Sequence, residues 1–244
     1  MMGKLGRLLI LLLLGLLALQ LYFAARILLM NVLDPQSTSF QRSEIWRLAS
    51  EKGQVLWSQQ WVDEAELSKN LRRAVIASED AGFAEHAGVD WDALEKAWER
   101  NQKAEARVER AEQRGRPAPK LKIVGGSTIT QQLAKNLFLS GERDLLRKGQ
   151  ELVLTLMLEG LLSKQRILTI YLNNVEWGEG VFGAQAAARH YFSIDAARLS
   201  AGQAARLAVM LPAPKRFEKR PGSPYILSRA ATIAARMGAV ELPD

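Results

Sequence analysis

Residues able to do acid–base chemistry crowd between Ala77 and Asp90, ASEDAGFAEHAGVD. Adjacent carboxylates, Glu79 and Asp80, close a helical-looking run from Leu67 to Ser78. Phe83, His86 (one of two histidines) and Gly88 follow. With apolar Val75, Ile76 and Phe83 near in sequence, a carboxylate at such a helix exit loses solvent and its pKa rises toward neutrality. That suits a general acid or base at pH 7. The competing reading is a pair of solvated helix-end acids and a loop histidine, and only residues elsewhere in the chain decide between the two.

A second set lies downstream. Gly125 to Leu139 reads GGSTITQQLAKNLFL. Its glycines permit a close backbone approach, and Ser127, Thr128 or Thr130 can cap the helix that follows. On that helix Gln131 and Lys135 share a face, while Leu133, Leu137 and Phe138 turn to the core. A glycine turn, hydroxyls at a helix start and a lysine one turn on make an anion site. Asp144 then opens an amphipathic run to Leu162, on which Arg147, Lys148 and Glu151 fall at i, i+3 and i+4 spacing. They form either an ordinary surface ion-pair trio or a second carboxylate held ionised between cations and facing Glu79. Two carboxylates in unlike environments are the usual equipment for making or breaking a glycosidic bond.

The elements that must position these groups follow the apolar pattern. Leu8 to Ala25 is almost wholly apolar, broken by Gly15 and Gln20. It is long enough to cross a hydrocarbon core of about 30 Å. Lys4 and Arg7 precede it, which places the N-terminus in the cytoplasm and the rest beyond the membrane. A cleavable signal peptide fits less well, since its apolar region is shorter and no small-residue cleavage site follows. The expected organisation is an anchor at 1–30, a linker at 31–44 carrying Pro35 and several Ser and Thr, and one domain from 45 to 244. In that domain Gln54–Val62 reads as a short strand, and Asp63 as the N-cap of the helix leading to Glu79. From Asp90 to Gln113 the pattern is helical but mainly charged, ending at Gly115, Pro117 and Pro119. It reads as a solvated helix with a mobile loop, with a flap over an anionic substrate as the alternative. Lys164–Asn174 reads as a helix, then a glycine-punctuated turn region, then helices at Ile194–Met210 and Ser223–Met237. Glu176 and Glu179 read as structural acids, and His190 as a packed histidine. Helical periodicity, with almost no alternating stretches, makes the fold all-α.

Composition narrows the chemistry. The 244 residues are 48% hydrophobic with a formal charge of +7, which favours anionic partners. No cysteine is present, so disulfides, thiolate metal sites and cysteine nucleophiles are excluded. Nucleic acid is not expected as a partner, because no binding motif or interleaved aromatic accompanies the basic residues.

The segments Ser78–Gly88, Gly125–Leu139, Arg147–Glu151 and Lys164–Phe192 resemble, in order, the motifs of the family 51 peptidoglycan glycosyltransferases, above all the monofunctional membrane-anchored transglycosylases. The resemblance spans roughly residues 45 to 240 and departs mainly in the charged insert at Trp98–Lys122. It implies a lysozyme-like helical domain in the cytoplasmic (inner) membrane, with its catalytic part on the periplasmic side. The implied activity is polymerisation of lipid II into glycan strands, with release of undecaprenyl diphosphate. Glu79 is then the base and Glu151 the second catalytic carboxylate. Asp80, Phe83, His86, Ser127, Thr128, Gln131, Gln132, Lys135, Asn136, Arg143, Arg147 and Lys148 form the substrate site, with Lys135, Arg143 and Arg147 on the diphosphate. Glu151 either orients these cations or holds a divalent ion, Mg or Mn, against the diphosphate; no cofactor is obligatory. Expected partners are lipid II, the growing glycan, membrane lipid and other cell-wall synthesis proteins. No S-x-x-K or K-T-G occurs, so no transpeptidase site is expected. A lytic enzyme of similar fold and a non-catalytic cationic scaffold are the alternatives.

Overall fold

The computed structural model describes residues 3–115, 117, 125–139 and 145–243. Helices dominate, as the periodicity requires. The first, α1, runs Lys4–Leu29 and is the one helix among the described residues long and apolar enough to cross a membrane. Its most apolar window has a mean hydropathy of 2.5 and no buried residue, which is compatible with a single-pass anchor. Among the described residues, its C-terminal part meets the rest of the chain. There Ile27 is buried, the Phe23 ring lies edge-on to Phe138 at 5.3 Å, and Gln20 exchanges two amide hydrogen bonds with Gln150, at 3.0 and 3.1 Å.

The stretch expected as a linker is helical in its second half. Helix α2, Ser39–Lys52, starts there because Thr38 and Gln41 form a capping box, each side chain bonding the other's backbone N–H. A short β1, Ser58–Gln59, follows. The helix that carries Glu79, α3 (Lys69–Glu79), is capped by Ser68 rather than Asp63. Asp63 opens only a single 3-10 turn, after which Leu67 is extended and the helix must restart. Leu71, Ala74, Val75 and Ile76 form the buried face of α3.

Asp90 caps α4, Trp91–Gln113, by accepting the Ala93 N–H at 2.8 Å. Thr128 caps α5, Ile129–Phe138, in a second capping box, with Gln131. Leu133 and Leu137 are buried as expected. Then come α6, Leu145–Leu161, and α7, Lys164–Asn174, the latter within its predicted bounds. The region read as turns holds a hairpin, β2 (Glu176–Gly178) and β3 (Val181–Phe182). With β1 parallel to β3 it forms a three-stranded sheet of order β1-β3-β2. Strands this short carry no readable alternation. Gly180 closes the hairpin at φ +72°, and a Cβ there would fall 2.0 Å from the Leu56 carbonyl oxygen.

Helix α8, Ala184–Phe192, leads to the stretch expected as one Ala-rich helix. It is broken. A 3-10 turn at Ala196–Arg198 gives way to extended Leu199, and α9, Ala201–Met210, starts afresh under a Ser200–Gln203 capping box. His190 is exposed rather than packed within the core, its ring edge-on to Tyr191 at 4.6 Å. A short α10, Pro214–Phe217, and α11, Pro224–Arg236, complete the order. Trp177, Tyr171, Phe83 and Phe182 are the largest wholly buried side chains in a core shared by α3, α5, α7 and α9.

Candidate active site

Glu79 is the last residue of α3, and the chain leaves the helix at Asp80 with an extended φ of −162°. This sharp exit sends the two carboxylates in different directions. Asp80, 6% exposed, turns inward. One oxygen accepts the Ile129 N–H at 2.9 Å and the other meets His86 Nε2 at 2.8 Å. An anion is thereby held at the first turn of α5, where unpaired N–H groups and the helix dipole favour it. His86 Nδ1 accepts the Gly88 N–H at 3.1 Å, so in the neutral ring the proton sits on Nε2 and is donated to Asp80. The Gly88 carbonyl in turn accepts the Thr128 hydroxyl at 2.6 Å.

Gly88 holds φ +86°, and a Cβ there would lie 2.7 Å from Thr155 Cγ2 and 2.8 Å from Glu159 Cγ, both on α6. The acidic loop is thus clamped between α5 and α6 through a position only glycine fits. Beneath it Phe83 is fully buried, with Lys164 Nζ 4.5 Å above its ring. Phe83 therefore supports the loop and cannot touch a ligand, because no part of it is exposed.

Glu79 turns the other way, into an open cleft of about 330 Å³ lined also by Asp80, Lys96, Arg100, Ser127 and Thr128. Its carboxylate accepts Gln132 Nε2 at 3.1 Å and the Ser78 hydroxyl at 3.4 Å. Burial pushes its pKa up, and the neighbouring Asp80 charge adds to the rise, against the lowering by the Gln132 and Ser78 hydrogen bonds. The direction of this shift is the one a general base requires. Gln132 is itself oriented by the Tyr171 hydroxyl, which donates to Oε1 at 2.9 Å. Gln131 spends its side-chain oxygen on the Thr128 N–H at 3.1 Å, so it builds the helix start.

Lys96 and Arg100 come from α4, in the stretch read as a solvated helix, and escaped the sequence reading. The available signal was the spacing Ala93, Lys96, Ala97, Arg100, which puts two small residues and two cations on one helix face. The small residues let the glycine loop close in: a Cβ on Gly126 would lie 3.2 Å from Leu94 Cα and 3.4 Å from Ala97 Cβ. The first half of α4 is therefore a wall of the cleft. His86 faces a neighbouring opening of about 440 Å³, shared with Asp90 and Lys96.

The basic trio forms as the spacing requires. Glu151 is 4% exposed and bonded to Arg147 at 3.0 Å and to Lys148 at 2.5 Å. It is not among the residues lining the opening of about 330 Å³ beside Glu79. One turn on, Thr155 donates to the Glu151 carbonyl at 2.8 Å and abuts Gly88, which ties the trio to the acidic loop. Both Glu151 oxygens are taken by cations, and among the described residues no group of three or more His, Asp or Glu could hold a metal. Lys135 is exposed and Asn136 half-buried on α5. Arg143, Asp144 and, within the insert, Arg116 and residues 118–122 lie outside the described residues.

Known proteins resemble this chain over most of its length. The transglycosylase family model matches residues 50–238. A biosynthetic peptidoglycan transglycosylase of Burkholderia thailandensis is 54% identical over 227 residues, covering 93% of this chain and 83% of that protein. Proteins of the same description in Burkholderia pseudomallei (53% identity, 93% and 83% covered) and Paraburkholderia xenovorans (51%, 93% and 89%) are similarly near. On a family match across most of the chain and relatives above half identity, the chain belongs to the transglycosylase family.

Proposed function

We propose that this protein polymerises lipid II into peptidoglycan glycan strands at the outer face of the cytoplasmic membrane. Glu79 takes the proton from the 4-hydroxyl of the acceptor sugar as that oxygen bonds to C1 of the donor. The C1–O bond to the lipid diphosphate breaks with inversion, and its electron pair leaves with the diphosphate. Lys135, Arg143 and Arg147 stabilise the departing charge, and Lys96 and Arg100 add positive field within the cleft. Preorganised charge of this kind is a large term in many active sites. Glu151 orients Arg147 and Lys148, since both its oxygens already serve them; a divalent cation there would have to displace one of these partners. Lys4 and Arg7, inside the anchor, support an N-terminus in the cytoplasm.

The observation that carries this reading is a half-buried carboxylate of raised pKa in a cleft that Lys96 and Arg100 also line. The purified chain is incubated with labelled lipid II and the products are separated by size. Long lysozyme-sensitive glycan from the native chain and none from a folded Glu79→Gln variant is expected. Normal turnover by that variant would sink the base assignment, and shortening of preformed glycan without polymerisation would indicate a lytic enzyme.

A further inference from the structure

Glu79, Gln132 and Tyr171 come from three different helices and form one hydrogen-bonded line. Tyr171 on α7 donates to Gln132 Oε1 at 2.9 Å. Gln132 on α5 donates through Nε2 to Glu79 Oε2 at 3.1 Å, at the end of α3. We infer that Tyr171 is a positioning residue for the catalytic base: its hydroxyl locks the Gln132 amide in the orientation that donates to Glu79. The inference rests on the assignment of Glu79 as base.

The argument is one of satisfiability. A glutamine amide can present either its oxygen or its NH₂ to a neighbour, and the two are nearly equal in shape. Facing a carboxylate, only the NH₂ is attractive. Facing a protonated carboxyl, the oxygen serves as well. An unconstrained Gln132 would therefore follow the protonation state of Glu79 and accommodate both. The Tyr171 hydroxyl removes that freedom. It is 1% exposed, and Gln132 Oε1 is its acceptor among the described residues. Turning the amide over would leave the buried hydroxyl hydrogen without a partner, which is costly. Burial, with the nearby charges of Glu79 and Asp80, also pushes the Tyr171 pKa well up, so the group remains a donor through the working pH range. The result is a fixed donor aimed at Glu79, favouring the ionised form that can take a proton. It opposes the burial that pushes the Glu79 pKa up. The other charged or titratable groups around the line are Asp80 beside Glu79, His86 bonded to Asp80, and Lys96 and Arg100 lining the same cleft. The Gln132 side chain is hydrogen-bonded to Glu79 and Tyr171, and Tyr171 is the partner that fixes its orientation whatever the protonation of Glu79.

The test is the pH profile of lipid II polymerisation by the full chain carrying Tyr171→Phe. The acid limb of kcat/KM reports the base in the free enzyme. It is expected to move up by about one pH unit, a roughly tenfold change in proton affinity, with KM for lipid II altered less than about twofold at the optimum. In a Gln132→Met background the limb is already moved, and adding Tyr171→Phe should move it no further. An unmoved limb in Tyr171→Phe overturns the inference. So does an equal loss from Tyr171→Phe with and without the Gln132 amide, which would mean that the hydroxyl matters only for packing. If Tyr171→Phe does not fold, Gln132→Met alone decides: its limb must move upward, and a limb at the native position overturns the inference. The base assignment fails separately, by activity in Glu79→Gln. Inactive Glu79→Gln with an unmoved Tyr171→Phe limb refutes the positioning role alone.

Discussion

Glu176 offers a quantitative check on how burial and charge are balanced away from the cleft. It sits at the start of β2 and is 6% exposed. Its nearest cation, Lys215, bonds Glu44 at 2.5 Å and stands 3.6 Å from Glu176 Oε1. That oxygen has no hydrogen-bond partner. Lys215 has one carboxylate in full contact and leaves the other underserved. Burial therefore pushes the Glu176 pKa up, from 4.5 to about 7, with the Glu44 and Glu218 charges adding to the rise and Lys215 opposing it. The folded-state pKa lies above the unfolded one, so stability is fully present below about pH 4.5 and is lost as pH rises through about 7. A shift of about 2.5 units at ~1.36 kcal/mol each amounts to about 3 kcal/mol by pH 8. Glu176→Gln keeps the shape and cannot ionise. Melting in detergent at pH 5 should nearly coincide for the two chains. At pH 8 the variant should melt about 6–12 °C above the native protein, at about 2–4 °C per kcal/mol for a chain of this size. An equal difference at both pH values, or a variant less stable at pH 8, would refute the reasoning.

Three further outcomes are expected. Asp80→Asn leaves either the Ile129 N–H or the His86 Nε2–H without its acceptor, so the melt should show a loss of about 2–3 kcal/mol and glycan synthesis should fall with it. An Asp80→Asn chain as stable as the native one would mean that the carboxylate does not fasten α5. Gly88→Ala meets Thr155 and Glu159 and a positive φ; about 2–4 kcal/mol should be lost, with part of it regained when Thr155→Ser removes the crowding methyl. Gln20→Leu strands the Gln150 amide and should cost about 1 kcal/mol, whereas Gln20→Leu with Gln150→Leu should be nearly neutral; melts of the three chains separate a paired contact from two independent ones.

Much of the site was legible because its signals are local. A capping hydroxyl with glutamine three residues on is visible in Thr128 and Gln131, and the spacing of Arg147, Lys148 and Glu151 places them on one helix face whatever surrounds the helix. The same logic holds for Thr38–Gln41 and Ser200–Gln203, whose capping signatures stand in the chain but were masked by a Ser/Thr-rich run and an Ala-rich pattern. Lys96 and Arg100 were obscured for a different reason. A helix with charges on most sides has several solvent-facing readings, and which face meets the cleft depends on Gly126 packing against Leu94 and Ala97.

By itself the sequence determined the helical class, the long apolar N-terminal helix, the limits of several helices (α4, α6, α7 and α11) and the residue types of the acidic and basic motifs. These depend on side-chain periodicity and on bonds that span three or four residues. Only the tertiary structure decided what Glu79 and Asp80 each do. They are neighbours in the chain, yet one opens on the cleft and the other fastens α5 and His86, because the extended backbone at Asp80 turns them apart. It also decided that Phe83 is a support, that Glu151 is buried with both oxygens on Arg147 and Lys148, and that Tyr171 reaches Glu79 through Gln132. Each of these rests on contacts between helices distant in sequence, where desolvation and hydrogen-bond partners are set by packing rather than by residue order.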